Sequence, residues 1–331
     1  MHSEDMSSPA VPRGAFAWRS TISGAALFAL VAWVIAYHGT LRRMLAQLAT
    51  LPGPSWSAIA IAVGAVAASY CCSAIALSAA AGRRLPLGRT LLVQFAAATA
   101  NRVTPGGVGG MAVNARFLRK QELSPGAVGA ALSLSAIAHV VIATLGVLAM
   151  GPTMTKLPVA HSLFAARIYG VPVIVAAIGA VALAVWCVSR AARGRLRADG
   201  RLQGAIRDAR GALSSAVRQP KRLALLLAAT AGVKITNLLA LLAATWAFDG
   251  DVANWRVVLV YLVGVPVAEA VPTPGGIGAV DAVLVASLAR TGSATAGAVI
   301  AAVIVFRLLT FWAPILPGVL SAGVLRRQHA L

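Results

Sequence analysis

Apolar runs of about 20 residues recur along this chain, and a run of that length folds most simply as a helix across a bilayer. They fall at 18–37, 57–81, 124–150, 168–188, 223–248 and 294–324. Of the 331 residues 59% are apolar and 11% charged, against about 25% charged in a soluble domain. No water-soluble core absorbs six such runs. The first follows Arg13 and Arg19 as a signal peptide would, but no small-residue cleavage site follows it, so it reads as a retained span.

A formal net charge of +20 in a soluble protein would suggest nucleic acid. Here ten of the 29 Lys and Arg residues lie in the one long hydrophilic stretch, 190–222. Within it Leu202, Ile206, Leu213 and Val217 recur at helical spacing between arginines. That pattern suits a topology signal or an amphipathic helix on an anionic cytoplasmic leaflet. Aromatics for base stacking are absent from it, so no nucleic-acid partner is expected. Cys71, Cys72 and Cys187 lie in apolar runs and suggest neither a disulfide framework nor a metal site. With the N-terminus, the 190–222 loop and the C-terminus inside, twenty basic residues are cytoplasmic. Six are outside: Arg42, Arg43, Lys156, Arg167, Arg256 and Arg290.

Two segments, 90–118 and 257–289, are broken by nearly identical turns. One reads Thr104-Pro105-Gly106-Gly107-Val108-Gly109, the other Thr273-Pro274-Gly275-Gly276-Ile277-Gly278. Proline has no N–H and biases its predecessor to extended backbone, while paired glycines accept positive φ, so each turn ends one half-helix and starts another. The arms rise roughly 16 to 23 Å, short of a hydrocarbon core of about 30 Å. Both segments are therefore expected to be re-entrant hairpins. Thr104 and Thr273 stand 169 residues apart, and that offset carries the spans flanking the first hairpin onto those flanking the second. The expected fold is all-α: six spanning helices and two re-entrant hairpins in an inverted-topology repeat. Residues 1–17 form a cytoplasmic tail, 18–150 the first repeat, 168–324 the second and 325–331 a second cytoplasmic tail. The hairpin tips, from opposite sides, would meet near the midplane, where transporters place their sites.

Helix N-termini after the turns would present free N–H groups to phosphate or carboxylate, making Gly106, Gly107, Gly275 and Gly276 candidate binding positions. Ionisable groups in apolar segments are costly and usually functional. Arg102 stands at a helix C-terminus, where it can cap or bind; Glu269 stands where the helix dipole disfavours an anion. Asp281, a turn into the returning half-helix, can cap N–H groups or bind. Lys234 and Arg307, near mid-span, are expected to face a cavity or pair with Glu269 or Asp281. With three cations against two carboxylates, lipid phosphate is the favoured partner of Arg307. His139 and Glu269 are the candidates for proton coupling. Asn101, Asn114 and Asn237 are expected to hydrogen-bond between helices, and Asp249-Gly250-Asp251 reads as a loop. No nucleotide-binding, metalloprotease or nucleophile-elbow pattern is present, so no catalytic residue, metal or cofactor is expected.

The stretch Val271-Pro272-Thr273-Pro274-Gly275-Gly276-Ile277-Gly278-Ala279-Val280-Asp281, followed by Phe306-Arg307-Leu308-Leu309-Thr310-Phe311-Trp312 and residues 314–318, resembles the C-terminal signature of the lysylphosphatidylglycerol synthase transmembrane-region family. The first turn with Asn101 and Arg102 is similar to that family's upstream motif. Asp281 stands where the family often has Glu. The resemblance implies a lipid-translocating module of the bacterial cytoplasmic membrane, as in multiple peptide resistance factors and their stand-alone relatives. The chain stops at Leu331 without room for a cytosolic aminoacyl-transferase domain, so lipid synthesis is not expected. The leading expectation is a flippase for an anionic or aminoacylated phospholipid. A polyprenyl-phosphate-linked sugar carrier and a membrane-embedded lipid transferase are the alternatives, and self-association is left open.

Overall fold

A computed structural model describes residues 53–104, 108–150, 211, 214, 218–248, 252–269, 278–289 and 295–328, all within the unit Pro52–Leu331. In chain order the helices are Trp56–Ala81 (α1), Leu87–Val103 (α2), Val108–Lys120 (α3), Pro125–Ala149 (α4) and Pro220–Trp246 (α5). Asn254–Leu259 (α6), Val265–Glu269 (α7), Ala279–Ala289 (α8), Ala296–Arg307 (α9) and Ile315–Arg327 (α10) follow. No strand occurs among the described residues.

Four stretches are long and apolar enough to cross a membrane: Trp56–Ala81, Pro125–Ala149, Pro220–Trp246 and Ala296–Leu325. The expected spans at 18–37 and 168–188, the N-terminal tail and most of the 190–222 loop lie outside the described residues. Large apolar side chains such as Ile61, Val141, Leu145, Ile235, Leu316 and Leu320 point outward from these helices, as lipid-facing surfaces do. The chain is a multi-pass helical membrane protein.

Local sequence sets the helix ends. Ser124 Oγ accepts the Ala127 N–H ahead of Pro125, and Thr295 Oγ1 accepts the Ala298 N–H, so α4 and α9 each start on a side-chain cap. Proline at the first position also starts α5 at Pro220, earlier than residue 223, where the apolar run begins. Gly82, with φ 68°, ends α1 in the left-handed region.

The expected single helix across 294–324 is broken. A π-helical turn, Leu308–Trp312, separates α9 from α10, and a second, Val260–Gly264, separates α6 from α7. Each is followed, two residues on, by a proline: Pro314 and Pro266. A proline ring collides with the carbonyl four residues back and cannot donate to it, and a wider turn relieves the collision. Accordingly Ala313 N–H reaches back to the Leu308 carbonyl, and Val265 N–H to that of Val260. The cost is a carbonyl in each turn, Thr310 in one and Leu262 in the other, to which the proline four residues on cannot donate.

The α1 and α5 helices lie antiparallel along their whole length. At one end Arg222 donates from Nε and Nη2 to the carbonyls of Ala79 and Ala80, and at the other Ser55 N–H donates to the Ala247 carbonyl at 2.8 Å. Between them the backbones approach closely: a Cβ added at Gly232 would lie 2.9 Å from Cys72 Sγ. Arg222 thus supplies a cation to the negative end of α1, over the glycine that ends it. Trp56 and Trp246 mark the opposite end, where both are exposed. Aromatic residues at one end and arginines at the other match the two interfaces of a bilayer.

The α2 and α3 helices form an antiparallel pair. Asn101 meets Gly110 near the turn, Gln94 Nε2 donates to Asn114 Oδ1 at 3.3 Å midway, and Arg83 Nη1 donates to the Gln121 carbonyl at 2.8 Å at the open end. Asn101 and Asn114 bond between helices as expected, whereas Asn237 Nδ2 donates to Val233 of its own helix at 2.8 Å.

Candidate functional site

The π-helical turn between α9 and α10 gathers the charged residues. Because Pro314 offers no N–H, the Thr310 carbonyl accepts from Arg102 Nη2 at 2.7 Å. The Arg102 guanidinium also lies over the Phe311 ring, 5.1 Å from its centroid. Arg307 lies over the same ring at 4.8 Å. Phe311 is buried and offers a quadrupole to both cations. Like charges held this close need further compensation, and Arg307 has it: its Nε stands 2.7 Å from Asp281 Oδ1.

Asp281 has a second task. Its Oδ2 accepts the Gly278 N–H at 3.0 Å, the backward half of a capping box at the start of α8, and Gly278 has φ 83°, which favours glycine. Capping and pairing, kept as alternatives in the sequence, are thus both performed by one carboxylate. The favoured lipid partner of Arg307 gives way to this carboxylate. A fork-shaped guanidinium matches it well.

Arg102 is different. Its Nε and Nη1 are buried without a hydrogen-bond partner, and the Tyr70 hydroxyl lies near the guanidinium. Tyr70 stacks on Phe95 with centroids 4.2 Å apart and sits near the middle of α1. The expected N–H groups after the first turn are not all free. Gly109 N–H donates to Thr104 Oγ1 at 2.9 Å and Gly110 N–H to Asn101 Oδ1, so side chains of the preceding arm already cap α3. Gly106, Gly107, Gly275 and Gly276 lie outside the described residues. Glu269 is the last described residue of α7, and its side chain is likewise outside them.

A third cation stands near a histidine. Lys234 is opposite the Tyr70 region in the antiparallel register of α1 and α5, and its charge acts on His139 of α4. His139 Nδ1 is 2.9 Å from the Ser135 carbonyl. A carbonyl only accepts, so Nδ1 carries the proton and Nε2 is the nitrogen left to exchange one.

Phe311, Thr310 and Tyr70 were not among the site residues expected from sequence. The usable signal for Thr310 was Pro314, four residues on, and Phe311 lies in the stretch that carries the family resemblance; Tyr70 gave none, since an aromatic residue in an apolar span reads as packing. The arrangement offers buried donors for an oxygen anion within the apolar segments.

Comparison with curated proteins finds no match. The family described as Lysylphosphatidylglycerol synthase TM region matches residues 21–318, nearly the whole chain and every residue of the site, so the protein belongs to that family.

Proposed function

We propose that this protein moves an anionic or aminoacylated phospholipid between leaflets, holding the headgroup phosphate at Arg102 while the acyl chains stay in lipid. The observation behind this reading is the pair of unpartnered buried donors, Nε and Nη1 of Arg102. Leaving such groups unpaired is expensive, and a phosphate oxygen is the acceptor they suit best. Transport, and not catalysis, is the role: the described carboxylate near Arg307, Asp281, is committed to an ion pair and a cap and is poorly placed to act as a base.

The transporter architecture goes with this reading: six spans and two re-entrant hairpins in an inverted repeat, both termini cytoplasmic, in the bacterial inner membrane. Three contacts support it. The 169-residue offset pairs α1 with α5, and these two run antiparallel, as inverted counterparts do. Arg83 and Gln121 meet at the open end of the α2–α3 pair, as a hairpin leaving and returning on one face requires. Each hairpin's first arm packs on the last long helix of the other half: a Cβ at Gly318 would press on Phe95 and Thr99, and one at Gly146 would lie 3.1 Å from Leu262.

Topology is tested with single cysteines in a cysteine-free background. Cysteines at Gly88 and Gln121 are expected to label from the cytoplasm, and those at Gly250 and Gly292 from outside; opposite-side labelling within either pair ends the hairpin scheme. Function is tested by dithionite quenching of fluorescent phospholipid in reconstituted vesicles. Arg102→Gln is expected to bring flipping to background and weaken lipid binding by about tenfold to a hundredfold, the range of a charge-assisted hydrogen bond. Arg102→Lys keeps the charge and loses the fork, so it recovers only part. Wild-type flipping by folded Arg102→Gln protein would refute the phosphate role.

A further inference from the structure

The guanidinium of Arg102 has a neighbour with a proton of its own to give, the hydroxyl of Tyr70. Phe95, Thr99 and Arg102 follow one another at i, i+4 and i+7 along α2 and so share a face. That face meets the last helix at two points: Thr99 Oγ1 stands 3.4 Å from the Pro314 carbonyl, and Arg102 Nη2 donates to Thr310. It meets α1 as well, because the Tyr70 ring stacks on Phe95 with centroids 4.2 Å apart and planes 20° from parallel. Helical side chains lean toward the N-terminus of their helix. Arg102 therefore reaches back along α2 toward that stack, and the Tyr70 hydroxyl lies near its guanidinium.

The chemistry of the two groups decides what the hydroxyl can do. A guanidinium only donates, so it can give a proton to the phenol oxygen but cannot take the phenol's own. No acceptor for that proton occurs among the described residues. Nε and Nη1 of Arg102 are in the same position, buried and unbonded. Tyr70 stands near the middle of an apolar span of 26 residues, where hydrocarbon supplies no acceptor either. Donors from two helices thus lie side by side, and one phosphate oxygen set between them can accept from both.

We infer that Tyr70 is a second ligand of the lipid phosphate, its O–H donating to an oxygen of the phosphodiester held at Arg102. This rests on the reading that Arg102 binds that phosphate. The ring does the rest: stacked on Phe95, it holds the hydroxyl in place before the lipid arrives. Phenylalanine at this position would keep the stack and lose the donor alone, so binding and packing can be told apart.

The test is competition binding to the purified full chain, with dihexanoyl phosphatidylglycerol and soluble glycerol phosphate as probes, alongside thermal unfolding of each variant. Tyr70→Phe is expected to weaken phosphatidylglycerol binding about tenfold, the low end for a hydrogen bond to a charged group, at an unchanged unfolding temperature. Tyr70→Leu, which loses the ring too, is expected to lower both. Added to Arg102→Gln, Tyr70→Phe is expected to weaken binding further; no further loss would make the hydroxyl a support for Arg102 and not a ligand. Wild-type affinity in Tyr70→Phe protein overturns the inference, and so does a loss that comes with a lower unfolding temperature, which would assign the hydroxyl to packing. Glycerol phosphate binding as tightly as phosphatidylglycerol overturns the lipid as the source of the phosphate. Arg102→Gln alone separates the two levels. If it leaves affinity unchanged, the phosphate site itself is wrong; if it weakens binding while Tyr70→Phe does not, only the role of Tyr70 is wrong.

Discussion

Asp281→Asn is expected to destabilise the protein by about 3 kcal/mol, the order of the cost of leaving the Arg307 charge unpaired within an apolar span. Arg307→Gln should cost less. The asymmetry follows from chemistry: an arginine deprived of its carboxylate cannot shed its proton, and an unpaired ion at this depth is costly even on insertion scales. An aspartate deprived of its arginine can take up a proton, and it keeps the Gly278 N–H. The Asp281→Asn/Arg307→Gln double variant should recover much of the loss, because it removes the stranded charge along with the pair. Thermal unfolding in one detergent across the four proteins measures this. Strict additivity, or Arg307→Gln as the worse single variant, would show that the 2.7 Å contact is not what balances Arg307.

Gly318→Val is the second large effect. Where α2 crosses α10, a Cβ at Gly318 would fall on the Thr99 side chain and within 2.6 Å of the Phe95 carbonyl. A backbone oxygen cannot turn aside, so the helices must separate, at a cost of roughly 1 to 3 kcal/mol or more. Separation would also move Arg102 from the Thr310 carbonyl, and lipid binding should fall along with stability. The control is Gly323→Ala in the same helix, where nothing lies within 4 Å of the added Cβ; it should be neutral or gain up to about 1 kcal/mol from helix propensity. A Gly318→Val protein as stable as the control would mean that the α2–α10 crossing is looser than described.

The difference between these two glycines shows where sequence reading stops. Both are small residues in one apolar helix, and nothing local separates them. Only the arrival of α2, more than two hundred residues earlier in the chain, makes one indispensable and leaves the other free. The glycine turn after Thr104 is the opposite case. Thr-Pro-Gly-Gly interrupts a helix through φ restriction and a missing donor, which are properties of adjacent residues, and the chain does break between Val103 and Val108.

Membrane residence, the helical class and the family were all determined by sequence alone, because burial of a backbone in lipid imposes a length and a composition that a single strand of letters displays. Sequence also fixed the excess of one positive charge, since a sum needs no geometry. It did not assign that charge. Arg307 and Asp281 find each other across α8 and α9, the Gly109 and Gly110 N–H groups are taken by Thr104 and Asn101, and Arg102 keeps two donors unspent beside a carbonyl that Pro314 released. Which cation meets which anion depends on distances between helices remote in the chain, and those exist only once the helices have packed.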